Sequence, residues 1–184
     1  MSSNQFVSSP SDKFISSIGS RETSAALQDL ITQTASCSPI FRIDESPNQL
    51  CILFTADGGK RFSAFMTFIV RSGNVSCTVS KKGMYEAMDN SGCFAFDSSD
   101  YINEVYSVAG ADPAAPSVEF DASLLIDQSE KILSAVKKFA HTITDGYAAF
   151  HIKLILRHAT LLHQLNQTPA DGFIQLQVPH LPSL

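Results

Sequence analysis

The sequence predicts an α+β fold, an antiparallel sheet packed with helices in the order helix, three or four strands, short helix, two strands, long helix. Three observations predict it. Between Ile40 and Val79, apolar and polar residues alternate in short runs divided by turn-forming residues, which is the period of a strand. Ahead of these runs, Ala26, Leu27, Leu30 and Ile31 make a single helical stripe. Behind them, Ile132, Val136, Phe139, Ile143, Tyr147 and Phe150 follow one another at steps of 4, 3, 4, 4 and 3, the most regular pattern in the chain.

In chain order, residues 1–22 are polar and serine-rich and read as a flexible arm, because they offer too little apolar surface to offset the entropy of ordering. The first helix spans Glu22 to Thr34, and Pro39 bars its continuation. Ile40 to Ile43 is a short strand, and Ser46-Pro47-Asn48 a turn. Leu50, Ile52 and Phe54 share one strand face, and Ala56-Asp57-Gly58-Gly59 turns the chain. The run Phe62 to Val70 puts Ala64, Met66, Phe68 and Val70 on one face and Phe65 and Ile69 on the other. Ser72-Gly73-Asn74 reverses direction before Val75, Cys77 and Val79. Loops this short join antiparallel neighbours.

Lys82 to Asn90 reads as a short helix ended by Gly92, and Cys93 to Phe96 as a strand. Tyr101 to Ala109, rich in Ile, Val and Tyr, reads as a further strand. Gly110 to Ser117 is a linker by composition, and Phe120-Asp121 opens the long helix with Asp121 as N-cap. Gly146 weakens that helix and predicts a bend, with the pattern resuming from His151 to Leu165. The expected organisation is a single domain over residues 23–165, followed by an irregular tail, 166–184, marked by Pro169, Pro179 and Pro182.

The composition narrows the function. A net charge of -5 with no basic cluster argues against nucleic acid and anionic membrane surfaces, where Lys and Arg must meet phosphates. No stretch approaches the ~20 apolar residues that span a bilayer, and the serine-rich start lacks the apolar core of a secretory signal. Cys37, Cys51, Cys77 and Cys93 are widely spaced, which fits small buried hydrophobes in a reducing compartment.

Catalytic and cofactor signatures are missing. His141, His151, His158, His163 and His180 form no HExxH and have no acid or thiol at zinc spacing. Asp57-Gly58-Gly59-Lys60 lacks the spacing of a phosphate loop and reads as a hairpin turn. No GxSxG elbow or calcium loop is present. The sequence therefore predicts no enzyme activity, cofactor or metal.

Three stretches resemble a known family. Ala26-Leu27-Gln28-Asp29-Leu30 leads into Phe41-Arg42-Ile43-Asp44-Glu45 and Cys51-Ile52-Leu53-Phe54; Met84-Tyr85-Glu86-Ala87-Met88-Asp89-Asn90 precedes Gly92-Cys93-Phe94-Ala95-Phe96-Asp97; and Phe120-Asp121-Ala122-Ser123-Leu124-Leu125 opens a long helix. In this order the chain from Ala25 to Phe150 resembles the class I chaperones of bacterial type III secretion. The resemblance implies a small, acidic, cytoplasmic homodimer. Its partner would be the N-terminal segment of a secreted effector, held extended and secretion-competent without ATP hydrolysis. It also implies that Leu27, Leu30, Ile31, Phe41 and Ile43 line the effector grooves, and that Met84, Tyr85, Met88, Phe94 and Phe96 form the dimer contact. The arm and the segment after Phe150 are longer than the family pattern. A different class, an immunity or antitoxin-type protein binding a folded toxin, fits the same size and acidity. A third is a ligand-binding α+β enzyme whose sheet wraps the long helix.

Overall fold

The computed structural model describes residues 12–55, 62–81, 84 and 98–167. The chain divides into two compact units, residues 1–148 and 149–184. The first unit is α+β. Helices α1 (Asp12–Ser16) and α2 (Arg21–Ser36) lead into strands β1 (Arg42–Ser46), β2 (Gln49–Phe54), β3 (Ser63–Arg71) and β4 (Asn74–Ser80). Helix α3 (Ser99–Val108), strand β5 (Ser117–Asp121), helix α4 (Ala122–Asp127) and helix α5 (Ser129–Gln167) follow. The five strands form one antiparallel sheet in sequence order, β1-β2-β3-β4-β5.

Local chemistry sets the boundaries. Ser20 caps α2, its side chain accepting from the Thr23 N–H at 3.3 Å. Asp121 caps α4 in the same way, accepting from the Leu124 N–H at 2.8 Å. Ser72 and Gly73 both have positive φ, 52° and 79°, which suits the two-residue turn between β3 and β4. Gly110, at φ 63°, ends α3. The Ala111 N–H reaches the Tyr106 carbonyl at 3.0 Å and the Gly110 N–H the Ser107 carbonyl at 3.1 Å, the paired bonds of a Schellman stop.

Alternation along the strands builds the core. Leu50, Phe68, Cys77 and Phe120 are cross-strand partners in one buried row. A register shift after Ile52 pairs Ile52 with Met66 and Leu53 with Ala64, leaving Phe65 unpaired. This bulge turns Phe65 inward beside Met66, so both are buried. Phe65 then meets Phe41 at 4.7 Å, Phe139 at 5.4 Å and Tyr101 at 6.0 Å between ring centroids. Phe139, on α5, is the hub of this aromatic cluster and stacks on Tyr101 at 4.8 Å. Leu27, Leu30 and Ile31 of α2 are buried as well, each contributing about 1.5–3 kcal/mol of burial.

Several expectations need correction. The polar arm does not extend over residues 12–22: α1 forms there, and Phe14 and Ile18 belong to the core. The Gly19 N–H donates to the Gly73 carbonyl at 2.9 Å, and a Cβ on Gly73 would lie 3.3 Å from the Gly19 Cα, so this approach needs glycine. The stretch from Tyr101 to Ala109 is helix α3, not a strand; its Ile102, Val105 and Tyr106 are buried at helical spacing. Ser117 to Asp121 is a strand, Asp121 caps the short helix α4, and the long helix α5 begins only at Ser129 rather than at Phe120. Helix α5 runs on through Gly146, in keeping with the pattern that resumes from His151. The turn at Ala56–Gly59 and the strand at Cys93–Phe96 lie outside the described residues. Of the short helix expected from Lys82 to Asn90, only Met84 is described, and it is helical.

Candidate functional site

Helix α2 buries Leu27 and Ile31 completely and leaves Ala26, Asp29 and Gln33 nearer solvent. Residues 26, 29, 30 and 33 fall on one helical edge, three and four apart. That edge faces Ile126 of α4 and Ser129 and Leu133 of α5 across a cleft of about 140 Å³. Leu30, itself 3% exposed, forms part of the floor. At the rim the Gln33 amide donates to the Asp29 carboxylate at 2.7 Å. A volume of this order takes one benzene-sized apolar group. The cleft therefore fits a single apolar side chain under a polar rim.

The sheet supplies a second element. Strand β1 has β2 as its only strand neighbour among the described residues. Edge strands can pair with an added strand, and charged residues along them discourage uncontrolled pairing. Arg42, Asp44 and Glu45 supply that charge, while Ile43 stays half-buried against the core. The Arg42 guanidinium sits 4.1 Å from the Phe62 ring centroid.

The groove residues implied by the resemblance therefore separate. Leu27, Leu30, Ile31 and Phe41 are core, at 0%, 3%, 0% and 3% exposure. Leu30 lines the cleft, and Ile43 stands partly open at the sheet edge. Of the dimer residues, Met84 is fully buried within the chain. Tyr85, Met88, Phe94 and Phe96 lie outside the described residues. Ala26, Asp29, Gln33, Ile126 and Leu133 were not singled out by sequence. The polar positions of α2 that follow its apolar stripe at i+3 and i+4 are the signal that marks such a rim.

Among the described residues no three His, Cys, Asp or Glu side chains come together as a metal site. Cys77 is a free thiol whose pKa is pushed up, first by burial. Cys37 is also pushed up by burial, with Lys137 pulling the other way. Both favour the inert thiol over the nucleophilic thiolate. Burial likewise raises Tyr101, with Cys77 adding to the effect, and its hydroxyl has no hydrogen-bond partner among the described residues. His141 and Asp145 pair at 3.4 Å on an exposed turn of α5. No described helix is long and apolar enough to cross a membrane.

No family model, curated protein or solved structure matches the chain.

Proposed function

We propose that the chain binds an extended segment of another protein, in the manner of a class I type III secretion chaperone holding an effector's N-terminal segment, and performs no chemistry on it. The observation that carries this reading is the sheet edge at β1, where one strand has a single strand neighbour among the described residues and presents the half-buried Ile43. An incoming strand would pair along β1, with backbone hydrogen bonds giving affinity and side-chain pockets giving selectivity. The cleft beside Leu30 supports the same reading as a pocket for one apolar anchor of the cargo. Such a segment stays soluble because its backbone and apolar side chains are covered, and it needs no nucleotide.

The test is capture of the first hundred or so residues of the proteins encoded beside this chain, each as a purified fragment. Ile43→Asp, at the sheet edge, is expected to weaken capture at least tenfold while circular dichroism stays unchanged. Capture unaffected by Ile43→Asp removes β1 from the account. Capture of a folded basic domain instead, with no binding of unfolded segments, favours the immunity reading, in which an acidic surface meets a folded toxin.

A further inference from the structure

The cleft between α2 and the helices α4 and α5 combines two chemistries. Leu30, Ile126 and Leu133 give it apolar walls, with Ala26 beside them. Its polar lining is Asp29, Gln33 and Ser129. Among the described residues that line it, Asp29 alone is charged. The two chain segments that form it, 26–33 and 126–133, carry Asp29, Asp127 and Glu130 against the single basic residue Lys131. The Gln33 amide donates to the Asp29 carboxylate at 2.7 Å, which holds the carboxylate beside the opening.

What fills the cleft must therefore suit a carboxylate as well as an apolar wall. A leucine or phenylalanine covers the walls, but it takes water from Asp29 and returns no donor, which is a cost. A lysine or arginine lays its methylene stem on Leu30, Ile126 and Leu133 and carries its charge to the carboxylate. Gln33 and Ser129 add a carbonyl and a hydroxyl oxygen as acceptors, which suit the several N–H donors of an ammonium or a guanidinium. Asp29 is exposed, so the cation stays partly hydrated and its desolvation costs little. The geometry points to a cation-tipped anchor: this cleft selects a lysine or arginine side chain of the bound segment, and Asp29 is the residue that sets the preference. The source of that side chain rests on the cargo reading, while the preference of the cleft for a cation does not.

Small probes test the cleft without any cargo. Amide shifts of the full chain are followed by NMR during titration with n-butylammonium, n-butylguanidinium and uncharged n-pentanol, with NaCl as the ionic control. Both cations are expected to move the amides of residues 26–33 and 126–133. They are expected to bind about threefold to tenfold more tightly than pentanol, the range for a partly exposed charge pair. Asp29→Asn, which keeps the shape of the side chain, is expected to erase that margin with unchanged circular dichroism. Pentanol binding as tightly as the cations overturns the proposal. So does a margin that survives Asp29→Asn, or a titration in which no probe moves these amides. Capture of the same purified fragments then tests the source of the side chain. Asp29→Lys is expected to weaken capture by about tenfold or more, and one Lys→Glu or Arg→Glu change in the fragment to restore it. Capture that Asp29→Lys leaves unchanged, or that no such change restores, overturns the anchor while β1 pairing stands. A cation preference without capture of any fragment upholds the cleft and removes the cargo reading instead.

Discussion

Helix α5 contains the same kind of apolar spacing twice, with opposite outcomes. In its first part Ile132, Ala135, Val136, Phe139, Ala140 and Ile143 are at most 2% exposed. In its later part Ile152, Ile155, Leu156 and Leu162 are more than half exposed. In a folded protein most helical stability comes from packing an apolar face, so each stripe calls for packing. The first part finds it in the sheet and the aromatic cluster around Phe65 and Tyr101. Among the described residues the stripe of the later part has no such cover. A periodic apolar stripe thus predicts that a helix has a partner, but not whether that partner belongs to the same chain.

A large expected effect probes how far the buried region extends. Starting the chain at Arg21 removes Phe14 and Ile18, which are 0% and 7% exposed. Each is worth a few kcal/mol of burial, so the truncation is expected to cost about 3 kcal/mol or more, read as a lowered urea midpoint. An unchanged midpoint would put α1 outside the cooperative core. The serine-rich composition of residues 1–22 gave no warning, because two buried side chains suffice to dock a short helix and they carry no repeating pattern.

Other parts of the fold were legible. Helix α2, strands β2 to β4, the turn at Ser72-Gly73 and the Asp121 cap all follow from short-range signals that tertiary packing reinforces. Helix α3 was misread because Tyr101, Ile102, Val105, Tyr106 and Val108 are good strand formers. Their spacing of three and four is helical, and burial against the aromatic cluster decided between the two. Strand β5 was missed because five residues ending on a helix cap look like the start of that helix. The candidate site was less legible than the fold. A stripe such as Leu27, Leu30 and Ile31 reads the same whether it fills a core or lines a groove, and only burial separates the two.

A smaller effect refines the description of the core. Tyr101 buries a hydroxyl with no partner among the described residues, which is a cost of about 1 kcal/mol or more. Tyr101→Phe is expected to raise stability by about 1 kcal/mol in urea unfolding at neutral pH. The sign with pH follows from the raised pKa. The neutral phenol is the form the fold favours, so this stability is fully present below the ordinary tyrosine value near 10 and is lost as pH rises through the folded-state value. Alkaline unfolding should therefore be shallower in Tyr101→Phe than in the wild type. A destabilised variant would mean that the hydroxyl has a partner after all.

The contrast within α5 is tested most directly by making the same substitution in both parts, Ile143→Asp and Ile155→Asp, and measuring urea unfolding. A carboxylate at the fully buried Ile143 loses its hydration, and is expected to cost several kcal/mol and leave the protein largely unfolded. The same carboxylate at Ile155, 66% exposed, is expected to shift stability by less than about 0.5 kcal/mol. Equal destabilisation by the two substitutions would contradict the account, since it would make the later stripe part of the same core.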